Sequence, residues 1–204
     1  MGLALSTGAA ILLGWLSEQV LENDTARFDS YARELIHARS SPPLTAIMQF
    51  FTTVGSVTIL SSLVVLALVI FWMCKCKRDV TMLTVTMAGA TVLNAALKLG
   101  FHRPRPEPYF GIAAPHSFSY PSGHALFSFA FFLTMAALVT AHLHTKWGSA
   151  LLWVAAATIV ALIGFSRIYL GVHYPSDVIA GYLTAFIWVS TVTLAKRRLP
   201  RTMR

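Results

Sequence analysis

At 204 residues, with 56% hydrophobic and only 12% charged side chains, the chain is too apolar for an ordinary soluble domain, in which about a quarter of residues are charged. Its formal charge of +8 is not spread over a face as nucleic-acid binding requires: five cations (Lys196, Arg197, Arg198, Arg201, Arg204) sit in the C-terminal tail and three (Lys75, Lys77, Arg78) in one short loop. The reading is a single integral membrane domain over residues 1–204, with no nucleic-acid partner and loop charges that set its orientation.

A bilayer-spanning helix needs about 20 mostly apolar residues. Six segments qualify, at about 2–21, 44–73, 80–101, 123–142, 147–168 and 175–195. The expected fold class is therefore all-α, a bundle of six transmembrane helices. The first segment lacks a basic leading region, and Leu16-Ser17-Glu18 is a poor small-residue cleavage site, so it reads as a retained helix.

Between the first two spans, Phe28, Tyr31, Leu35 and Ile36 recur at helical spacing, with Arg27, Asp29, Arg33, Glu34 and Arg39 on the other side. This pattern predicts an amphipathic helix lying in the membrane interface, or a short polar cap helix. Ser41-Pro42-Pro43 then restarts the chain as a new helix. Cys74 and Cys76 share the basic loop after the second span, too close for an ordinary disulfide and too sparse for a metal site. They read as reduced thiols facing the cytoplasm.

Counting cations in alternate loops gives the topology. With the N-terminus inside, nine lie on the cytoplasmic side: Lys75, Lys77, Arg78, Lys146 and the five of the tail. The outer side holds seven, Arg27, Arg33, Arg39, Lys98, Arg103, Arg105 and Arg167, of which three belong to the polar signatures described next. Both termini are expected to be cytoplasmic.

Three polar signatures interrupt the apolar sequence, each where a span begins or ends. The first is Lys98-x6-Arg105-Pro106 after the third span; Pro104 and Pro106 stop the helix and keep the two cations off one helical face. Such a pair suits an anion, and the planar fork of Arg suits phosphate oxygens. Arg103, between them, reads as a snorkelling or head-group cation.

The second signature, Pro121-Ser122-Gly123-His124, opens the fourth span. Ser122 is a good N-cap, Gly123 permits close backbone approach, and a helix start with free N–H groups attracts anions. His124 is placed to exchange a proton with a leaving oxygen. The third is Ser166-Arg167-x5-His173-x3-Asp177, bridging the last two spans. Pro175 suits a first helical turn, which would bring Asp177 back onto the His173 ring. A carboxylate on one ring nitrogen fixes the tautomer and frees the other nitrogen to attack. Together the three supply three cations, two histidines and a carboxylate on one side of the membrane, as phosphate-ester cleavage requires.

These eleven residues, in this order, resemble the type 2 phosphatidic acid phosphatase family, which also contains vanadium haloperoxidases; the segments carrying them cover about 98–177. The resemblance implies that His173 is the nucleophile forming a phosphohistidine, oriented by Asp177. It implies that Lys98, Arg105 and Arg167 hold the phosphate oxygens with Ser122 and the Gly123 N–H, and that His124 protonates the leaving lipid oxygen. No metal or other cofactor and no obligatory protein partner is expected; the partners are the bilayer and a lipid phosphate. An undecaprenyl diphosphate or a phosphatidylglycerol phosphate fits, in a bacterial cytoplasmic membrane with the site facing outward. Alternatives are a lipid phosphotransferase using the same intermediate, a haloperoxidase and a non-enzymatic lipid transporter. Around the site, His102 and His116 read as solvated loop residues, Tyr109 and Phe110 as interfacial aromatics, and Glu107 as a possible tuner of the cations.

Overall fold

The computed structural model describes residues 2–113, 116–143 and 145–198. Eight helices and no strand occur among them: α1 (Gly2–Leu21), α2 (Ala26–His37), α3 (Pro42–Val54), α4 (Val57–Met73), α5 (Lys77–Phe101), α6 (Gly123–Thr140), α7 (Lys146–Tyr169) and α8 (Pro175–Arg198). Five of these are long and apolar enough to cross a membrane, and the bent pair α3–α4 makes six if it crosses as one span. The cationic tail residues Arg201 and Arg204 lie outside the described residues.

The second expected span is not one helix. The apolar run 44–73 breaks at Gly55-Ser56, and the two pieces meet at a 48° bend. Ser56 is extended, and its hydroxyl accepts from the Ile59 N–H at 3.3 Å, which starts α4 as a fresh capped helix. Gly55 lets α3 press against α7: a Cβ there would lie 2.4 Å from Ile163 Cγ2 and 3.2 Å from His124 Cδ2. The break thus aims the end of α3 at a motif histidine.

α6 is the central helix, packed against α4, α5, α7 and α8. Its buried face carries Ala125, Ser128, Ala130, Thr134 and Ala136. Hydrocarbon tails are as apolar as leucine, so helices in lipid associate by close packing, which small residues permit. Large apolar side chains such as Ile11, Val65, Val92 and Leu151 face outward instead.

α5 ends where the prolines dictate. His102 adopts the left-handed conformation (φ 47°) as C-cap, and Pro104 and Pro106 carry the chain onward. α5 and α7 finish at the same end of the bundle at which α6 and α8 begin, so the three polar signatures meet there.

At that end lies α2. Phe28 and Tyr31 of its apolar side face outward, 54% and 66% exposed, as an interfacial helix requires, while Ile36 packs against the buried cluster that includes Met48 and Leu170. Its polar side is not simply solvated: Asp29 is fully buried beneath the helix.

Candidate active site

His173 follows the end of α7 and is 1% exposed. Nε2 lies 3.0 Å from Arg105 Nη1. A guanidinium can only donate, so Nε2 is the acceptor and Nδ1 carries the hydrogen. Nδ1 faces Asp177 Oδ2 at 3.3 Å and Ser119 Oγ at 3.4 Å. Burial pulls the His173 imidazole down to about 4, against the opposing pull of Asp177. The ring is therefore neutral at pH 7, with its lone pair on Nε2.

Asp177 stands in the first turn of α8, as Pro175 requires, and is completely enclosed. Oδ2 accepts from Ser119 Oγ at 2.5 Å and from the Tyr174 N–H at 2.9 Å, while Oδ1 accepts from Arg103 Nη1 at 2.6 Å. Its backbone carbonyl accepts the Ser122 N–H at 2.9 Å, which ties the start of α6 to the start of α8.

The three expected phosphate cations converge. Arg105 donates from Nε to the Ser117 carbonyl at 2.6 Å and from Nη1 to the Val172 carbonyl at 2.8 Å. Burial lowers its pKa, with Asp177 opposing. Lys98, on the last turn of α5, donates to the Phe118 carbonyl, and Arg167, on the last turn of α7, donates from Nη1 to the Thr52 hydroxyl. Lys98 lies within electrostatic reach of Arg105 and Arg167, and His124 within that of Arg167 and Arg105. Two donors in this group are buried without a protein partner: Ser122 Oγ and Arg167 Nε. Ser122 does occupy the N-cap position, but its side chain makes no capping bond, contrary to the sequence expectation. Its hydroxyl is left for something else.

Several residues here escaped the sequence reading. Arg103 is not a snorkelling cation. Its side chain is 10% exposed and bridges two buried carboxylates, Asp177 at 2.6 Å and Asp29 at 2.8 Å. Burial pulls its pKa down, yet the Asp177 and Asp29 carboxylates outweigh that and hold it above its ordinary value. Thr52 receives Arg167 on its hydroxyl, and its backbone hydrogen-bonds the His124 ring. Tyr109 and Phe110 make ring contacts within the protein, Tyr109 stacking on His37 (3.8 Å between centroids) and Phe110 on Tyr169 (5.5 Å), while Phe110 stays 41% exposed. Glu107 is exposed and contributes its carbonyl to Arg33 at 2.8 Å. His102 sets its ring edge against Phe118, and His116 is exposed.

Among the described residues, the one group of His, Cys, Asp or Glu side chains close enough to share a metal ion is Cys76, Asp79 and His142. It lies at the opposite end of the bundle, and His142 Nε2 and Asp79 Oδ2 already engage each other at 2.9 Å.

The fold defines a multi-pass helical membrane protein whose catalytic-type side chains gather at one end of the bundle. Residues 79–201 match the PAP2 superfamily, and the chain belongs to that family. It is 29% identical over 146 residues to phosphatidylglycerophosphatase B of Bacillus subtilis, spanning 69% of this chain and 70% of the relative. It is 32% identical over 117 residues to undecaprenyl-diphosphatase of Sulfolobus acidocaldarius, spanning 55% of this chain and 52% of that one. Among solved structures, it is similar to the transmembrane PAP2 type phosphatidylglycerolphosphate phosphatase of B. subtilis, with a TM-score of 0.86, 25% identity and coverage of 96% of this chain and 98% of that one. It is also similar to Aquifex aeolicus LpxE, with a TM-score of 0.61, 28% identity and coverage of 82% and 95%.

Proposed function

We propose that this chain is a phosphatase that removes phosphate from a membrane lipid phosphate or diphosphate through a phosphohistidine at His173. The observation that carries the proposal is the His173 ring, held between Arg105 on Nε2 and Asp177 on Nδ1. A neutral imidazole with its hydrogen anchored on one nitrogen presents a lone pair on the other. Family membership and the phosphatases it resembles support the same reading.

In the forward step the Nε2 lone pair attacks phosphorus and the bond to the lipid oxygen breaks. His124 gives that oxygen its proton, so the lipid leaves as an alcohol, or as a monophosphate when the substrate is a diphosphate. In the second step water attacks phosphorus, His124 takes the water's proton, and the P–N bond breaks to release inorganic phosphate and neutral His173. Lys98, Arg105 and Arg167, with Ser122 Oγ and the Gly123 N–H, hold the equatorial oxygens. Fixed positive charge and in-line positioning supply most of the rate in such a transfer. Arg105 must rotate off Nε2 as phosphate enters, and the oxygens it then meets replace the contact it gives up.

The substrate is a lipid whose phosphate reaches head-group depth, with undecaprenyl diphosphate and phosphatidylglycerol phosphate the two candidates. The excess of cations in the opposite loops and tail supports a site on the outer face with both termini inside. The test is phosphate release by purified protein in the presence of EDTA, from undecaprenyl diphosphate, phosphatidylglycerol phosphate and phosphatidic acid. Release that needs His173 and ignores EDTA supports the proposal. Folded protein that releases phosphate from none of the three overturns it.

A further inference from the structure

The carboxylate that orients His173 is itself gripped from the surface helix. Arg103 reaches Asp177 Oδ1 with Nη1 at 2.6 Å and Asp29 Oδ2 with Nη2 at 2.8 Å. Ser176 stands in the same array: its hydroxyl donates to Asp29 Oδ2 at 2.6 Å, its N–H donates to Asp29 Oδ1 at 3.0 Å, and it accepts from Arg103 Nη1 at 2.8 Å. Thr25, at the start of α2, accepts from Arg103 Nη2 at 3.2 Å, and the Tyr174 ring covers the guanidinium at 4.2 Å. Both carboxylates are fully buried.

Charges withdrawn from water to this degree are retained where they are fully partnered, and here one arginine fork satisfies two anions that would otherwise repel. Asp29 bonds Arg103 and Ser176; through Arg103 it touches the residue that touches the residue proposed to orient the nucleophile. Its seat in α2 also joins the outward-facing Phe28 and Tyr31 to the catalytic carboxylate through a single helix.

We infer that Arg103 and Asp29 are positioning residues of the reaction, acting through Asp177, so that the surface helix α2 is a working part of the active site. The inference rests on the phosphohistidine reading and adds to it a role for residues outside the three sequence signatures. It predicts a particular kinetic pattern. Neither residue faces the phosphate cations, so their loss lowers kcat while leaving KM within about 3-fold. Loss of an outer partner that orients a ligand costs about 10- to 100-fold at metal sites, and the same range is expected for the fall in kcat in Arg103→Ala and in the near-isosteric Asp29→Asn. Arg103→Lys, which keeps the charge but cannot fork to both carboxylates, falls between Arg103→Ala and the unaltered protein.

The deciding experiment is a double-mutant cycle read by single-turnover phosphate release, with enzyme in excess over lipid phosphate and melting temperature recorded for each variant. If Arg103 and Asp29 act through Asp177, adding Arg103→Ala or Asp29→Asn to Asp177→Asn costs no more than about 2-fold beyond Asp177→Asn alone. Full additivity, or single variants with unaltered kcat, overturns the inference. Asp29→Asn carries the cycle if Arg103→Ala does not fold. His173→Ala runs in parallel: turnover that survives it refutes the phosphohistidine reading itself. Turnover that requires His173 but ignores Arg103 and Asp29 refutes only this inference.

Discussion

Replacing Gly181 by alanine perturbs the proposed phosphate cradle through its backbone, without replacing any residue assigned to bind phosphate. Gly181 lies on α8 where it crosses the start of α6, and an added Cβ would fall 2.7 Å from the Ser122 carbonyl oxygen, 3.1 Å from Ala125 Cβ and 3.2 Å from the Leu126 nitrogen. The first distance is 0.7 Å short of the 3.4 Å at which ordinary van der Waals contact begins. The obstacle is backbone, not the end of a flexible side chain, so the first turn of α6 has to move bodily. It would carry Ser122, Gly123 and His124 with it. Misplacing catalytic groups by about 1 Å costs about 100-fold, so a shift somewhat under that predicts a loss in kcat on the order of 10-fold or more. Overpacking typically costs about 1–3 kcal/mol, which leaves the protein folded but with a lower melting temperature. The assay is phosphate release from a lipid phosphate in detergent, with Gly8→Ala as control because a Cβ there meets nothing within 4 Å. Unchanged kcat and melting temperature in Gly181→Ala would refute the reasoning that α8 sets the position of the cradle.

Other expectations follow from the site. With His173 held near pKa 4, the acid limb of the kcat/KM profile has its midpoint near pH 4; a midpoint at the ordinary value of about 6.5 would show a solvated ring. Because the folded pKa lies below the unfolded one, the unfolded chain takes up the proton first as pH falls. Stability contributed by neutral, buried His173 is therefore lost between about pH 6.5 and pH 4, on the order of 3 kcal/mol, and the accompanying fall in melting temperature shrinks in His173→Gln. Thr52→Val keeps the side-chain shape and removes the hydroxyl that receives Arg167; a hydrogen bond to a charged group is worth about 1.5–3 kcal/mol, so kcat/KM drops by about 10-fold or more, and a change under 2-fold would sink that assignment. Cys74 is exposed at the end of the bundle opposite the site. With the proposed topology, a membrane-impermeant maleimide labels it in intact cells only after permeabilisation; labelling without permeabilisation would place the active site inside.

The grouping of the candidate site residues was more legible than the scaffolding around them, for a physical reason. Lys98, Arg105, Ser122, His124, Arg167, His173 and Asp177 sit at the ends of apolar runs, where helix-stopping prolines and a first-turn position dictate local geometry. Asp177 reaches the His173 ring because four residues and Pro175 leave it little alternative. Arg103 looked like a head-group cation because its partners are remote: Asp29 is 74 residues away in sequence, and Asp29 meets Ser176 across 147. No spacing rule spans such distances. Asp29 was placed on the polar side of an amphipathic helix, correctly, but periodicity cannot tell a solvated polar face from one buried against charges. The break in the second expected span has a weak trace in the sequence, Gly55 followed by a capping Ser56, which the long apolar run 44–73 outweighed. Thr52 acquires its partners only because that break turns α3 toward α7.

The three cations proposed to hold phosphate already have protein partners: Arg105 the carbonyls of Ser117 and Val172, Lys98 that of Phe118, and Arg167 the hydroxyl of Thr52. On the proposed reading the three carbonyls are tethered rivals to the anion the cations would hold, whereas the Thr52 hydroxyl steadies Arg167. Inorganic phosphate would then depart from cations that have these protein oxygens within hydrogen-bonding reach. Such competition would weaken ground-state binding of any phosphate, product included, and so favour release.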